Sequence, residues 1–129
     1  MVARVPLFRD VGAEDLASIA KMLRPELAIP RQTIIRAGEI GREMYFIVSG
    51  AVDVMVKRAP VRLKDGDFFG EVALLTSQKR NADVVAVSYC ELLVLRKRDL
   101  DSLFSSHPAL RAQIEAHASA RRSAPGAAD

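Results

Sequence analysis

The residues of this chain best equipped for chemistry lie in one short stretch, Phe68-Phe69-Gly70-Glu71-Val72-Ala73-Leu74-Leu75, followed by Arg80-Asn81-Ala82. Gly70 stands where an extended segment gives way to a short helical one. Without a Cβ, it lets backbone approach a ligand closely. The first turn of the helix that follows carries free N–H groups and a partial positive charge, which together attract a phosphate. Arg80 adds a charged fork for the same anion. Glu71 repels an anion unless it accepts hydrogen bonds from hydroxyls, and a ribose supplies them. Glycine, acid and arginine together therefore fit a nucleotide held by its sugar and phosphate. The plainer alternative is a turn glycine, an acid favoured at a helix start by the macrodipole and a solvated surface arginine. So short a pattern does not by itself decide between the two.

The elements that must position these residues are bounded by composition. At 129 residues, half of them hydrophobic and 27% charged, the chain is one folded domain with room for a proper core. Its net charge of +3 is mild, and its basic residues are scattered apart from Arg96-Lys97-Arg98 and Arg121-Arg122. A nucleic-acid surface calls for a stripe or cluster instead. No apolar run approaches the ~20 residues needed to cross a bilayer, and the N-terminus lacks the apolar core of a signal peptide. The single cysteine, Cys90, excludes an internal disulfide and fits a reducing compartment.

Apolar spacing at Leu16, Ile19, Ala20 and Leu23 predicts an amphipathic helix from Ala13, begun with Glu14 and Asp15 and stopped by Pro25. The texture then changes to short β-rich runs at 27–29, 33–35, 44–48, 52–56, 61–63, 82–87 and 91–95. Val52, Val54 and Val56 alternate as a strand with one buried face should. Turn residues at 37–41, Ser49-Gly50 and 64–67 separate the runs, with Gly50 marking a tight turn. Many short strands with regular turns imply an antiparallel sandwich or barrel. The glycine–acid–arginine stretch is the one helical interruption in it. After Arg96 the period is helical again. A short helix spans 99–104, and a second starts at Pro108 and runs to about Arg122. Leu110, Ile114, His117 and Arg121 share one face of the second.

Other chemistries lack their residues. His107 and His117 have no suitably spaced second metal ligand. No serine lies in a nucleophile elbow, no P-loop or dinucleotide fingerprint occurs, and aromatic residues are too few for single-strand stacking.

Two separated segments, Gly38-Glu39 through Met44-Tyr45-Phe46-Ile47-Val48-Ser49-Gly50-Ala51-Val52 and Gly66-Asp67-Phe68-Phe69-Gly70-Glu71 through Arg80-Asn81-Ala82, carry a resemblance. The chain resembles a cyclic nucleotide-binding domain, the module of catabolite activator protein, protein kinase A regulatory subunits and cyclic nucleotide-gated channels. The similarity covers about residues 4–122. It implies an α+β, mainly β fold: an antiparallel eight-strand β-roll (jelly roll) with an N-terminal helix, a short phosphate-binding helix and two C-terminal helices. The domain would span 1–122, with 123–129 a disordered tail. The resemblance implies that backbone at Gly70, Glu71 and Val72 faces the cyclic phosphate and that Glu71 bonds the ribose 2′-hydroxyl. Arg80 would pair with an exocyclic oxygen, and Asn81 and Ala82 would donate from the following strand. The last helix would cover the base, with Arg121 on its inner face.

Two positions depart from the family pattern. Lys79 stands where proline often precedes the arginine. Asp83 stands where many members carry threonine, serine or alanine, and a hydroxyl there helps some relatives hold guanine. A carboxylate at that position can accept from the guanine amino group but repels the phosphate unless Arg80 or Arg121 neutralises it.

The expectation is a cyclic-nucleotide sensor, not an enzyme, with cAMP favoured over cGMP and no other cofactor or metal. It would regulate an attached effector through closure of the last helix. The Pro-Leu-Phe opening and the lack of a trailing DNA-reading helix look most like the C-terminal domain of a bacterial potassium channel. That context implies a cytoplasmic domain, a homo-oligomeric parent at the inner membrane, a monomeric isolated domain and no nucleic-acid partner. The alternatives are a degenerate β-roll used for protein contacts, the sensor domain of a transcription regulator or kinase, and a cupin-type enzyme.

Overall fold

Two stretches of sequence read as unbroken apolar runs, Met44–Val48 and Leu92–Leu95, and the fold explains both. The computed structural model describes residues 2–56 and 59–123, without the side chains of Ala3 and residues 121–123. In it these runs form the two central strands of a four-stranded antiparallel sheet. The strands are β1 (Leu23–Ala28), β2 (Thr33–Ile35), β3 (Glu43–Ser49), β4 (Ala51–Met55), β5 (Val61–Lys64), β6 (Phe68–Phe69), β7 (Asp83–Ala86) and β8 (Cys90–Arg96). One sheet has the order β1-β8-β3-β6 and the other β2-β7-β4-β5, with every pairing antiparallel.

Side chains alternate across a strand, and β3 and β8 are buried on both sides. Met44, Phe46, Val48, Leu93 and Leu95 join a cluster with the helical residues Leu100, Leu103, Leu110 and Ile114. Tyr45, Ile47, Leu92 and Val94 face the roll interior with Val52, Val54 and Val84. A strand covered on both faces has no polar side to show, hence the continuous apolar runs. In β4 only Val52 and Val54 are buried, so it alternates with Asp53 as expected. Strand β6 divides the same way: Phe68 belongs to the helical cluster and Phe69 to the interior one.

The helices are α1 (Ala13–Met22), α2 (Glu71–Thr76), α3 (Lys97–Ser106) and α4 (Pro108–Ser123), preceded by short 3₁₀ turns at Val2–Arg4 and Pro6–Phe8. The antiparallel eight-strand roll and the order of its helices are those expected. One boundary differs by more than two residues. Helix α1 ends at Met22, because Leu23 is already extended (φ −95°, ψ 135°), and Pro25 lies inside β1 opposite Leu93. The expected strand at 27–29 is therefore the end of a longer one. Strand β1 is a sheet edge, where a proline can stand with its missing N–H turned away from the ladder. The expected tail begins at Ser123, which closes α4; 124–129 lie outside the described residues.

Candidate functional site

Arg80 is the centre of the candidate site. It follows the isolated bridge between Lys79 and Ile40 and is only 7% exposed. A buried guanidinium must have its N–H groups satisfied. Arg80 donates from Nη1 to the Gly70 carbonyl at 2.7 Å and from Nη2 to the Glu43 carbonyl. Among the described residues it forms no ion pair. Two of five N–H groups are used in this way. Its backbone is fixed as well: Arg80 N donates to Glu39 O and Gly38 N donates to Arg80 O, both at 2.8 Å.

Of the other expected residues, Gly70 touches it and Asn81 and Ala82 follow it in sequence. Gly70 is the N-cap of α2 with φ +89°, a left-handed conformation that favours glycine. A Cβ there would lie 3.1 Å from Arg80 Nη1 and 3.3 Å from Ile35 Cδ1. Glu71 and Val72 open α2, and both are buried, Glu71 completely. The carboxylate expected at the ribose is thus enclosed by protein in this structure. Asn81 is exposed and Ala82 is buried, both just before β7. Asp83, one of the two departures from the family pattern, is exposed, and its Oδ1 accepts from Ala37 N at 2.7 Å. Its carboxylate thereby ties β7 to the loop between β2 and β3.

Arg80 also lines a cavity of about 450 Å³ together with Ile34, Ile35, Glu39, Glu43 and Tyr45. Among the described residues, none of the other expected site residues is in that wall. The Tyr45 ring stacks on Phe69, with centroids 5.0 Å apart and planes at 11°. Its hydroxyl donates to Glu43 Oε1 at 3.3 Å, and Glu43 Oε2 pairs with Arg24 at 2.9 Å. Burial, and then the negative charges of Glu43 and Glu26, push the Tyr45 phenol up to about 12; Arg80 pulls the other way. Glu43, Tyr45 and Gly41 were not anticipated as site residues. Gly41 lies in a segment legible only as a turn, and Tyr45 in a run legible only as core.

Helix α4 packs against α2 and the Pro6–Phe8 turn. Leu110 and Ile114 are buried on its inner face as expected, together with Ala118, which was not. His117 is exposed, with its ring centroid 4.5 Å from that of Phe68. Arg121 belongs to α4, but its side chain lies outside the described residues. No helix among the described residues is long and apolar enough to cross a membrane.

This geometry agrees with what the chain is similar to. The model of the cyclic nucleotide-binding domain family matches residues 29–107, which include Gly70–Ala82 and stop short of α4. The chain is 41% identical over 125 residues to a cyclic nucleotide-gated potassium channel of Rhizobium etli, covering 97% of the chain and 35% of the channel. It is 38% identical over 116 residues to human potassium/sodium hyperpolarization-activated cyclic nucleotide-gated channel 4, covering 89% of the chain and 10% of that protein. The chain thus spans about a third of the first relative and a tenth of the second. In structure it is similar to the regulatory domain of Toxoplasma gondii PKA in complex with cAMP, with a TM-score of 0.76 at 24% identity over 92% of this chain and 47% of that one; at that identity the likeness speaks to the fold alone. The family model covers more than half of the chain, and the chain belongs to the cyclic nucleotide-binding domain family.

Proposed function

We propose that the chain binds a cyclic purine nucleotide, cAMP in preference to cGMP, and acts as a regulatory module without catalytic activity. The observation that carries this reading is Arg80. Its buried guanidinium is held by two carbonyl oxygens, with no carboxylate partner among the described residues. Taking a cation out of water costs several kcal/mol unless an opposite charge compensates it. A phosphate supplies that charge, and the N-terminus of α2 adjoins the Gly70 carbonyl that Arg80 holds. Glu71 then meets the ribose 2′-hydroxyl, and the backbone of Val72, Asn81 and Ala82 completes the anion shell. Asp83 carries no hydroxyl for guanine, and its Oδ1 is already taken by Ala37 N, which favours adenine.

The effector in this reading is the gate of a bacterial potassium channel, with α4 transmitting occupancy. The similarity to the Rhizobium etli channel supports that context. On this reading the domain lies on the cytoplasmic side of the inner membrane in a homo-oligomeric parent.

Arg80→Ala tests the reading. Truncating one member of a desolvated charge pair weakens binding by about 2–5 kcal/mol. It also strands the Gly70 and Glu43 carbonyls, so a stability loss of about 1–3 kcal/mol is expected beside it. Arg80→Lys should recover part of the fold but little of the affinity, because an ammonium lacks the planar fork. An unchanged dissociation constant in folded Arg80→Ala protein removes Arg80 from the site.

A further inference from the structure

The loop between β2 and β3 touches Arg80 at more points than a connection between two strands requires. Glu39 and Gly38 exchange backbone hydrogen bonds with Arg80, and the Glu43 carbonyl accepts from its Nη2. Ile40 bridges to Lys79. Between these contacts lies Gly41, which is buried. A Cβ on Gly41 would lie 2.7 Å from Ala73 Cβ and 3.2 Å from both Cζ and Nε of Arg80. A Cβ on Gly70, at the other end of the guanidinium, would lie 3.1 Å from Nη1. Two glycines therefore bound the space in which the fork lies. They differ in kind. Gly70 has a left-handed backbone that itself favours glycine, whereas Gly41 lies outside that region. What excludes a side chain at Gly41 is the space taken by Arg80 and Ala73.

We infer that Gly41 is a positioning residue for the anion site: its missing side chain sets where the Arg80 guanidinium lies, and through it the orientation of the fork toward phosphate. The inference rests on the phosphate reading of Arg80. Gly41 does not touch the ligand. It acts through Arg80, pressed from one side by the 38–43 loop and from the other by α2. The same loop is tied to α3, because Lys97 N donates to Arg42 O at 2.9 Å. A shift of α3 would then reach Arg80 through the main chain of residues 38–43.

The test is Gly41→Ala in the 129-residue chain, alone and combined with Arg80→Ala. Two readouts are needed: the ¹⁵N–¹H resonance of Arg80 Nε, and cyclic AMP affinity by calorimetry. The added methyl should move the Nε resonance and weaken binding at least tenfold while circular dichroism stays that of the wild type. With Arg80 already truncated, Gly41→Ala should change affinity less than twofold, since groups in contact couple. If Gly41→Ala does not fold, Ala73→Gly with Gly41→Ala restores the space between the two Cβ atoms and leaves only the crowding on Arg80. An unmoved Nε resonance, wild-type affinity, or the same loss with and without Arg80 overturns the inference. If wild type binds no cyclic nucleotide, the functional reading fails, and the Nε resonance still decides whether Gly41 positions Arg80.

Discussion

At the scale of single residues, the site is a problem of keeping charge and polarity satisfied away from water. Arg80 meets it with backbone carbonyls, which fix two of its five N–H groups. Preorganised donors of this kind cost little to reorganise on binding. Tyr45 shows the other side of burial. Its phenol, ordinarily near 10, is pushed up to about 12 by burial and by Glu43 and Glu26. The folded state therefore holds the proton where the unfolded chain has lost it. This contribution to stability is whole below pH 10 and is lost as pH rises through about 12. Urea unfolding of Tyr45→Phe should show a shallower decline across that window than wild type. Parallel declines would mean that the phenol is as free in the fold as in the open chain. Residue chemistry was partly legible in the sequence. Gly70, Glu71 and Arg80 fit an anion site by type without deciding for one, but nothing in Gly41 said which turn glycine is pressed against a side chain. That distinction depends on how close two segments distant in sequence come, and the identity of a glycine carries no such distance.

At the scale of elements, periodicity was informative wherever one face is wet. Strand β4 alternates, and α4 keeps its apolar stripe, so both were readable with only the ends adjusted. Strand β1 was misread because Leu23 completes the helical spacing of α1 and Pro25 resembles a helix stop. The edge position that tolerates Pro25 is a property of the sheet and is absent from the local sequence. Strand β6, two residues long, is too short for any period. Turns were more legible. Gly50, between β3 and β4, has φ +105°, and a Cβ there would lie 2.5 Å from the Tyr89 carbonyl. Gly50→Ala combines left-handed strain with overpacking against backbone that cannot swing aside, an expected loss of about 2–4 kcal/mol. Its urea midpoint should fall well below that of wild type. An unshifted midpoint would mean that the Tyr89 carbonyl yields freely.

At the scale of the whole molecule, the two cores share one sheet. Phe68 and Phe69 are neighbours in β6, yet one packs with α4 through His117 and the other stacks on Tyr45 at the cavity. Helix α4 therefore meets the site through α2 and β6. A ligand shifts such an arrangement only if it binds its states differently. If α4 is the cover, cyclic nucleotide should slow hydrogen exchange in residues 108–122 as well as in 69–83. Protection confined to 69–83 would remove α4 as the cover and Arg121 from the site. The central claim is that the chain takes a cyclic nucleotide at Arg80, and titration calorimetry of the 129-residue chain tests it most directly. Saturable binding of cAMP with one site per chain, tighter than that of cGMP, is the expected result; no saturable heat with either nucleotide up to millimolar concentration would contradict it.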